Sequence, residues 1–119
     1  MSEAKTYSGS CHCGKVRFEA TTDMKTVVQC NCSICSRLGY LLTFLPPEQF
    51  QLLSGESELQ DYQFNKKRIH HLFCSSCGVH GFGRGNGPDG KEMIAVNLRC
   101  LEGVDLGGLK PAHFDGRNM

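Results

Sequence analysis

The sequence contains no tryptophan, few aromatic residues and no long apolar stretch. Aromatic residues account for 8% of the 119 residues. No hydrophobic run approaches the roughly 20 residues that span a bilayer. The N-terminal segment Met1 to Ser10 is polar and lacks the apolar core of a secretory signal. We therefore expect neither a membrane span nor an export signal, and we predict a cytoplasmic protein.

Long blocks of like charge are also absent. Thirteen basic and twelve acidic side chains leave a formal net charge of +1, and aromatic residues do not interleave with a basic stripe. Binding to nucleic acid or to an anionic membrane surface depends on concentrated positive charge. Neither nucleic acid nor a membrane is therefore expected as a partner.

Extended helical periodicity is a third absence. No segment keeps an apolar period of 3.6 residues over three turns, whereas short alternating runs recur every ten residues or so. In the run Lys15 to Thr22, for example, Val16, Phe18 and Ala20 share one predicted buried face. The pattern predicts an all-β single domain over residues 1–119, with one helical turn at 33–38. The predicted strands cover residues 5–10, 15–22, 27–29, 40–45, 51–53, 58–64, 68–73, 80–84 and 93–98; the first two form a hairpin, and a turn at 54–57 separates 51–53 from 58–64.

Cysteine, by contrast, is abundant. Eight cysteines form three short clusters and one isolated residue. A reducing cytosol disfavours stable disulfides, and clustered thiols suit one shared metal better than long cross-links. Zinc is the favoured metal, with an iron–sulfur centre as a minor alternative. The clusters are Cys11/Cys13, Cys30/Cys32/Cys35 and Cys74/Cys77, and Cys100 stands alone.

The first and last clusters together supply four sulfurs. Structural zinc is normally closed by four protein ligands, so these two pairs are enough for one closed site. Because the two pairs lie far apart in sequence, one metal ion between them would close a long loop and contribute to folding.

The middle cluster raises a different question, because three thiols leave one corner of a tetrahedron unfilled. The fourth ligand is either an exchangeable water or thiol, as in a catalytic site, or Cys100 or a histidine, as in a closed site. Spacing alone leaves both alternatives open. Arg37 lies close to this cluster in sequence and is a candidate for binding a substrate carboxylate, the alternative being a solvated side chain.

Three histidines are further candidates. His70 and His71 are adjacent in a predicted strand, so their side chains are expected on opposite faces. His80 follows the last cluster and can orient a cysteine ligand. Each is otherwise an ordinary surface or capping histidine, and Cys100 is predicted to be a buried apolar thiol.

Three motifs, in this order, resemble the glutathione-dependent formaldehyde-activating enzyme family, which includes centromere protein V. They are Gly9–Gly14, Cys30–Cys35 and Phe73–Gly78, within a likeness that runs from Ser8 to Asn118. The resemblance implies a mainly β, Mss4-like fold with zinc-binding knuckles, as in the small zinc-binding chaperone of Rab-type GTPases. It also implies two Zn²⁺ ions, one structural and one catalytic. The implied structural ligands are Cys11, Cys13, Cys74 and Cys77, and the implied catalytic ligands are Cys30, Cys32 and Cys35.

The reaction of that family adds the sulfur of glutathione to formaldehyde and gives S-hydroxymethylglutathione, which is carbon–sulfur lyase chemistry. The resemblance therefore predicts a zinc-dependent enzyme whose partners are a small thiol and an aldehyde, with either direction open. The alternatives are a non-enzymatic, zinc-stabilised binding module and a metal or redox buffer. An exchangeable coordination position favours the enzyme, and two closed sites favour the module.

Overall fold

A computed structural model describes residues 4–24, 26–30, 33–63, 69–86, 90–104, 106–109 and 111–114. Within these residues the chain forms ten strands, a short helix and four single 3-10 turns. The helix, α1, covers Ser33–Leu38 and ends at Gly39, which adopts the left-handed conformation with φ +69°. The strands are β1 (Lys5–Ser10), β2 (Arg17–Thr22), β3 (Val28–Cys30), β4 (Leu42–Leu45), β5 (Phe50–Ser54), β6 (Leu59–Tyr62), β7 (His70–Cys74), β8 (Phe82–Asn86), β9 (Glu92–Asn97) and β10 (Ala112–Phe114).

The strands form two sheets. The smaller sheet has the order β1-β2-β5 and is antiparallel throughout, with β1 and β2 joined as the predicted hairpin. The larger sheet has the order β10-β3-β4-β9-β8-β7-β6 among the described residues. All its pairings are antiparallel except that of β10 with β3, which is parallel.

The main core lies between the two sheets. Phe18 on β2 is completely buried, and its ring contacts those of Phe50 and Phe82 at centroid distances of 5.4 and 5.5 Å. From β9, Ile94 and Val96 point into the same core and are 1% and 0% exposed. Alternation of apolar and polar residues along β2 and β9 therefore places one face of each sheet in the core.

The opposite face of the larger sheet carries α1. Cys35 of the helix packs with Tyr40 and Leu42, and Ala95 of β9 borders the same cluster. Cross-strand pairing puts Leu42 and Ala95 on the face that turns away from the main core. This second cluster is much smaller than the main core, since the helix has only six residues.

The predicted mainly β architecture is confirmed, and the apolar alternation in β2 and β9 is as expected. The predicted strands 51–53 and 58–64 correspond to β5 and β6, on either side of the predicted turn, and residue 64 lies outside the described residues. The two strands belong to different sheets: β5 to the small sheet, and β6 to the far edge of the large one. The strand β10 was not predicted, because its three residues carry no alternating pattern. In the described part of the chain, the helix is neither long nor apolar enough to cross a membrane.

Candidate metal centre

The first cysteine knuckle connects β1 to β2. The backbone N–H of Cys11 donates to the carbonyl of Val16 at 3.1 Å, and the N–H of Gly14 donates to the carbonyl of Cys11 at 3.3 Å. Gly14 has φ +82°, a conformation that is strained for residues with a side chain. This tight turn places the Sγ atoms of Cys11 and Cys13 3.5 Å apart.

The second knuckle, at the end of β7, repeats this pattern. The N–H of Cys74 donates to the carbonyl of Val79 at 3.1 Å, and that of Gly78 donates to the carbonyl of Cys74 at 2.7 Å. Gly78 also has positive φ, at +79°. In both knuckles a cysteine N–H bonds to the residue five positions later, and a glycine makes the turn possible.

The two knuckles meet, although 61 positions separate Cys13 from Cys74, whose sulfurs lie 3.6 Å apart. In the part of the chain that the structure describes, this is the single group of three or more possible ligand side chains, and its sulfurs all lie within 4.8 Å of one another. Two of its cysteines are buried, one is half-buried and one is exposed. We call this group the four-thiol cluster: Cys11, Cys13, Cys74 and Cys77.

The distances within the cluster fit a tetrahedral metal. Zn–S bonds of about 2.3 Å place sulfurs about 3.8 Å apart in a tetrahedron, close to the separations of 3.5 and 3.6 Å. N–H groups of Cys13 and Val79 lower the pKa of Cys77 to about 6, so that it is a thiolate at neutral pH. The N–H of Lys15 lowers the pKa of Cys13, but partial desolvation and the neighbouring sulfurs outweigh it and raise that pKa to about 11. A bound cation would relieve this repulsion, so the cluster can hold a metal ion.

Residues of the turn between β5 and β6 form hydrogen bonds to both knuckles. The Ser54 hydroxyl donates to the carbonyl of Lys15 at 3.2 Å in the first knuckle. The Glu58 carbonyl accepts from the N–H of Ser75 at 2.8 Å in the second, and its carboxylate accepts from the hydroxyls of Ser75 and Ser76. Residues 54–58, which we call the bridging turn, therefore hold the two halves of the four-thiol cluster in register.

Two cysteines of the middle cluster, Cys30 and Cys35, lie on the other face of the large sheet. Cys30 is the last residue of β3 and is half-buried, and Cys35 is buried within α1. Both belong to the small apolar cluster that includes Ile34. Cys32, the third predicted ligand, lies outside the described residues. The structure thus places Cys30 and Cys35 in one apolar cluster between α1 and the sheet. The three-cysteine ligand set stays a prediction.

His80 connects the second knuckle to this region. Its Nδ1 lies 2.7 Å from the hydroxyl of Tyr40, and its ring stacks on Phe73 at a centroid distance of 5.1 Å. Its carbonyl accepts from the Nδ2 of Asn97 at 3.0 Å. Burial, followed by the charge of His71, lowers the pKa of His80, so its ring is neutral at pH 7. Since Tyr40 packs with Cys35, His80 links the two cysteine-bearing regions.

The two adjacent histidines of β7 lie on opposite faces, as expected for a strand. The Nδ1 of His70 contacts the Asp61 carboxylate at 2.6 Å, on a partly exposed surface. His71 is 9% exposed, and burial lowers its pKa despite the opposing effect of Asp61. His71 therefore faces the side that carries α1, and His70 the opposite side.

Arg37 lies on α1, next to a shallow cleft of about 320 Å³. Its Nη1 donates to the carbonyl of Ser33 at 2.7 Å, which fixes the side chain against the helix while leaving it exposed. Ser33, Ile34 and Tyr62 complete the described lining of the cleft.

Cys100 packs against the main core. Its thiol donates to the carbonyl of His80 at 3.7 Å and accepts from the Nδ2 of Asn97 at 3.8 Å. Burial, and then the charges of Cys11 and Cys77, raise the pKa of Cys100 to about 11. Because Cys100 packs with the main core, and the described cluster of Cys30 and Cys35 does not include it, its position does not favour it as the ligand that closes the middle cluster.

Two packed sheets and a four-thiol cluster at the junction of two knuckles define a class of small β proteins that can hold a metal ion. A family model described as glutathione-dependent formaldehyde-activating enzyme matches residues 6–113. The chain belongs to this family. The resemblance stated from the three motifs is thereby confirmed, and the architecture is consistent with the Mss4-like fold that it implies.

Among solved structures, the chain is similar to a protein of Rhodobacter sphaeroides whose crystal structure is known. The two are 29% identical, and their TM-score is 0.78. The match covers 89% of this chain and 97% of the other. The fold is therefore shared over most of both chains.

Sequence reasoning missed the residues that support the cysteines. Ser54 and Glu58 occur in what reads as an ordinary polar turn, and nothing in that pattern signals contacts with two distant knuckles. Tyr40 and Asn97 fall within the predicted strands 40–45 and 93–98, and their hydrogen bonds to His80 were not predicted. An asparagine directly after the apolar run of β9 is a detectable signal, since Asn97 caps the following 3-10 turn by accepting from the N–H of Arg99.

Proposed function

We propose that the protein is a zinc-dependent enzyme that adds a small thiol to an aldehyde, or catalyses the reverse reaction. The observation that carries this proposal is the position of Cys30 and Cys35. They share an apolar cluster beneath α1, beside the cleft that Arg37 lines, while the four-thiol cluster is complete without them. Membership of the family supports glutathione as the thiol and formaldehyde as the aldehyde.

Two Zn²⁺ ions per chain are part of the proposal. The four-thiol cluster would hold the structural ion, because its four sulfurs fill a tetrahedron. Cys30, Cys32 and Cys35 would hold the other, since thiolates are ligands that zinc prefers. A zinc ion held by these three cysteines would lower the pKa of a bound thiol and polarise an aldehyde oxygen.

The residues of the chain shield and orient the reactants. Tyr40, Leu42 and Ala95 form an apolar support under α1 and limit the access of water from that side. A low local dielectric strengthens the interaction of charged groups with their partners. Arg37 supplies a guanidinium group suited to the carboxylate of the thiol substrate.

The chemical step is balanced without an oxidant or a reductant. The sulfur of the thiol forms a bond to the aldehyde carbon, and the electron pair of the carbonyl double bond moves to oxygen. The proton lost by the thiol ends on that oxygen, so the product is an S-hydroxymethyl thioether. Breaking the same carbon–sulfur bond gives the lyase direction.

We further propose one domain over residues 1–119 and a cytoplasmic location. The family match over residues 6–113 supports the first. The grouping of the cysteines in short clusters, which suits a shared metal better than disulfides, is compatible with a reducing compartment and supports the second.

Cobalt substitution tests the proposed function. Glutathione, cysteine and S-methylglutathione are titrated into the Co²⁺-loaded protein while the d–d and charge-transfer bands are recorded. Only the two free thiols are expected to change the bands, because only they can add a sulfur ligand. The Cys30→Ser variant, which keeps the four-thiol cluster, should not respond. Unchanged bands with every thiol would overturn the proposal and favour a zinc-stabilised binding module.

A further inference from the structure

The ring of His80 has a fixed position beside the second knuckle. Val79, the residue before it, bonds to this knuckle through both of its backbone groups. Its carbonyl accepts from the N–H of Cys74 at 3.1 Å, and its N–H donates to the sulfur of Cys77. The His80 ring itself stacks on Phe73, with the two planes 24° apart. The second knuckle therefore fixes both the backbone and the ring of His80.

Tyr40 contacts this ring from the side of the helix. Its hydroxyl lies 2.7 Å from the Nδ1 of His80, and the two rings meet edge to face at a centroid distance of 5.9 Å. A neutral imidazole has one donor and one acceptor nitrogen, so the hydrogen bond forms in either tautomer. Tyr40 is buried and packs with Cys35 and Leu42. Its hydroxyl thus bonds to the histidine of the second knuckle, while its ring supports a cysteine of the middle cluster.

The segment 97–99 holds both partners of this hydrogen bond. Its asparagine side chain donates to the carbonyl of His80 at 3.0 Å. The N–H of its leucine donates to the carbonyl of Leu41 at 2.7 Å, and the Nε of its arginine donates to the carbonyl of Gly39 at 2.9 Å. These two bonds hold the residues before and after Tyr40. The Tyr40–His80 hydrogen bond therefore closes a ring of contacts, in which neither partner can shift without lengthening another bond.

Cys35 depends on this arrangement because its helix is short. A helix of six residues is not stable by itself and is held by the surface on which it packs. The N–H of Gly39 donates to the carbonyl of Cys35 at 2.9 Å, and the ring of the next residue, Tyr40, packs with Cys35. The position of the Cys35 sulfur therefore follows the position of the Tyr40 ring. Altering the partners that orient a metal ligand typically lowers metal affinity about 10- to 100-fold.

We propose that Tyr40 is a positioning residue for Cys35, and that its hydrogen bond to His80 sets the position of this cysteine relative to the second knuckle. The inference rests on the proposed function only for the metal that Cys30 and Cys35 would help to hold. Tyr40 acts through Cys35 and takes no part in the reaction itself. The second knuckle thus serves both cysteine-bearing regions: it supplies two sulfurs to the four-thiol cluster and orients one sulfur of the middle cluster.

A double-mutant cycle on metal affinity tests the hydrogen bond. Tyr40→Phe removes the hydroxyl and keeps the ring, and His80→Phe removes Nδ1 and keeps a ring that can stack on Phe73. Competition with a series of chelators gives the affinity for the more weakly held zinc ion. Each variant is expected to weaken that affinity about tenfold, the lower end of the range for such partners. The double variant should also lose only about tenfold, because both changes remove the same bond, and an additive loss of about 100-fold would overturn the inference.

A matched control and a spectrum separate positioning from a general loss of stability. Tyr7→Phe also removes a tyrosine hydroxyl, but from β1 of the small sheet, and should leave the metal affinity unchanged. In the Co²⁺-loaded protein, the bands that Cys30→Ser abolishes belong to the middle cluster, and those that it retains belong to the four-thiol cluster. Tyr40→Phe should alter only the first set. A lower free energy of unfolding in urea with both sets unchanged would overturn the inference.

Alkylation of Cys35 distinguishes failure of the inference from failure of the proposed function. Peptide mass spectrometry follows the rate at which iodoacetamide modifies this buried thiol in the folded protein. With its support loosened, Cys35 should react faster in Tyr40→Phe than in the wild type or Tyr7→Phe, whether or not a metal is bound. Faster alkylation without turnover of any thiol by the wild type would support the positioning role and reject the proposed chemistry. Turnover by the wild type, with Tyr40→Phe identical in alkylation, metal affinity and spectrum, would overturn the positioning role and leave the proposed function standing. Neither turnover nor any change in Tyr40→Phe would reject both.

Discussion

The two cysteine-bearing regions use the same side chain in different surroundings. The four-thiol cluster joins two turns that are far apart in sequence, and hydrogen bonds from the bridging turn hold them together. Cys30 and Cys35 come from one short segment, on the far face of the large sheet and beside a cleft. The two regions thus differ in how their cysteines are connected: the four-thiol cluster joins distant parts of the chain, whereas Cys30 and Cys35 belong to one local segment.

The difference also predicts how each region tolerates change. Loss of a ligand from the four-thiol cluster disconnects two distant parts of the chain. Loss of one from the middle cluster disturbs a helix of six residues that packs on an already formed sheet.

Cys74→Ser is expected to abolish folding. Cys74 is 1% exposed at the end of β7, and its sulfur connects the second knuckle to the first. Structural zinc contributes about 10 kcal/mol or more to folding, as much as the whole stability of many domains. Circular dichroism and zinc content measure the loss. Cys100→Ser is the control and should fold and retain its metal; a folded, metal-loaded Cys74→Ser would contradict the structural role of the cluster.

Cys30→Ser is expected to leave a folded protein with one zinc ion fewer and little activity. Changing the supporting partner of a metal ligand typically costs 10- to 100-fold, so the loss of a ligand itself should exceed about 100-fold. Cys32→Ser should behave in the same way. Circular dichroism, metal content and turnover are compared with those of Cys74→Ser. If Cys30→Ser unfolds as completely as Cys74→Ser, the two regions do not differ in the way proposed.

Gly55→Ala is expected to weaken the bridging turn. A Cβ at Gly55 would overlap the Lys15 carbonyl and lie 2.7 Å from the Cα of Val16, and its φ is +88°. We expect a loss of about 3 kcal/mol, since left-handed backbone costs about 1 and overpacking about 2. Gly90→Ala has a similar φ of +81° without any contact within 4 Å, so it should lose only about 1 kcal/mol. Urea unfolding measures both, and equal losses would contradict the steric argument.

A shallow pH dependence should come from the histidines that lie between the two regions. Burial lowers the pKa of His71 and of His80 below the ordinary histidine value of 6.5. Below pH 6.5 the unfolded chain therefore binds more protons than the folded one. The free energy of unfolding consequently decreases as the pH is lowered, until the pH is below the folded-state pKa. Each group contributes less than about 1.4 kcal/mol per pH unit.

His80→Gln should flatten the pH dependence of the unfolding free energy between pH 7 and 5.5 relative to the wild type. Release of metal from thiolates acts on both proteins, so their difference isolates the histidine. His12→Gln is a suitable control, because His12 is exposed on the first knuckle. Identical slopes for the wild type and His80→Gln would show that burial of His80 does not contribute.

Local patterns in the sequence were informative because neighbouring residues determine them. Alternation in β2 and β9 predicted which side chains are buried, and the positive φ of Gly14 and Gly78 agrees with turns at both knuckles. The order of strands was not predictable in the same way. A strand of three residues such as β10 has no period of its own, and it is defined only by pairing with β3, more than eighty positions earlier.

The same distinction between local patterns and long-range contacts applies to the candidate site. Cysteine spacing predicted that two separated pairs could share one metal, and the structure brings their sulfurs together. The supporting contacts of Glu58, Tyr40 and His80 could not be predicted, because each joins residues that are distant in sequence. The cleft could not be predicted either, because it brings Ser33, Ile34 and Arg37 of α1 beside Tyr62 of β6, which is distant in sequence.

The parallel pairing of β10 with β3 has a consequence for the order in which the protein matures on the ribosome. The N–H of Ala112 donates to the carbonyl of Val27 at 2.8 Å, and Phe114 pairs with Cys30. Both knuckles have been synthesised once residue 78 has left the exit tunnel, so the four-thiol cluster can close while translation continues. The strand beside Cys30 arrives more than thirty residues later. The nascent chain can therefore bring the four-thiol cluster together first and complete the surroundings of Cys30 last.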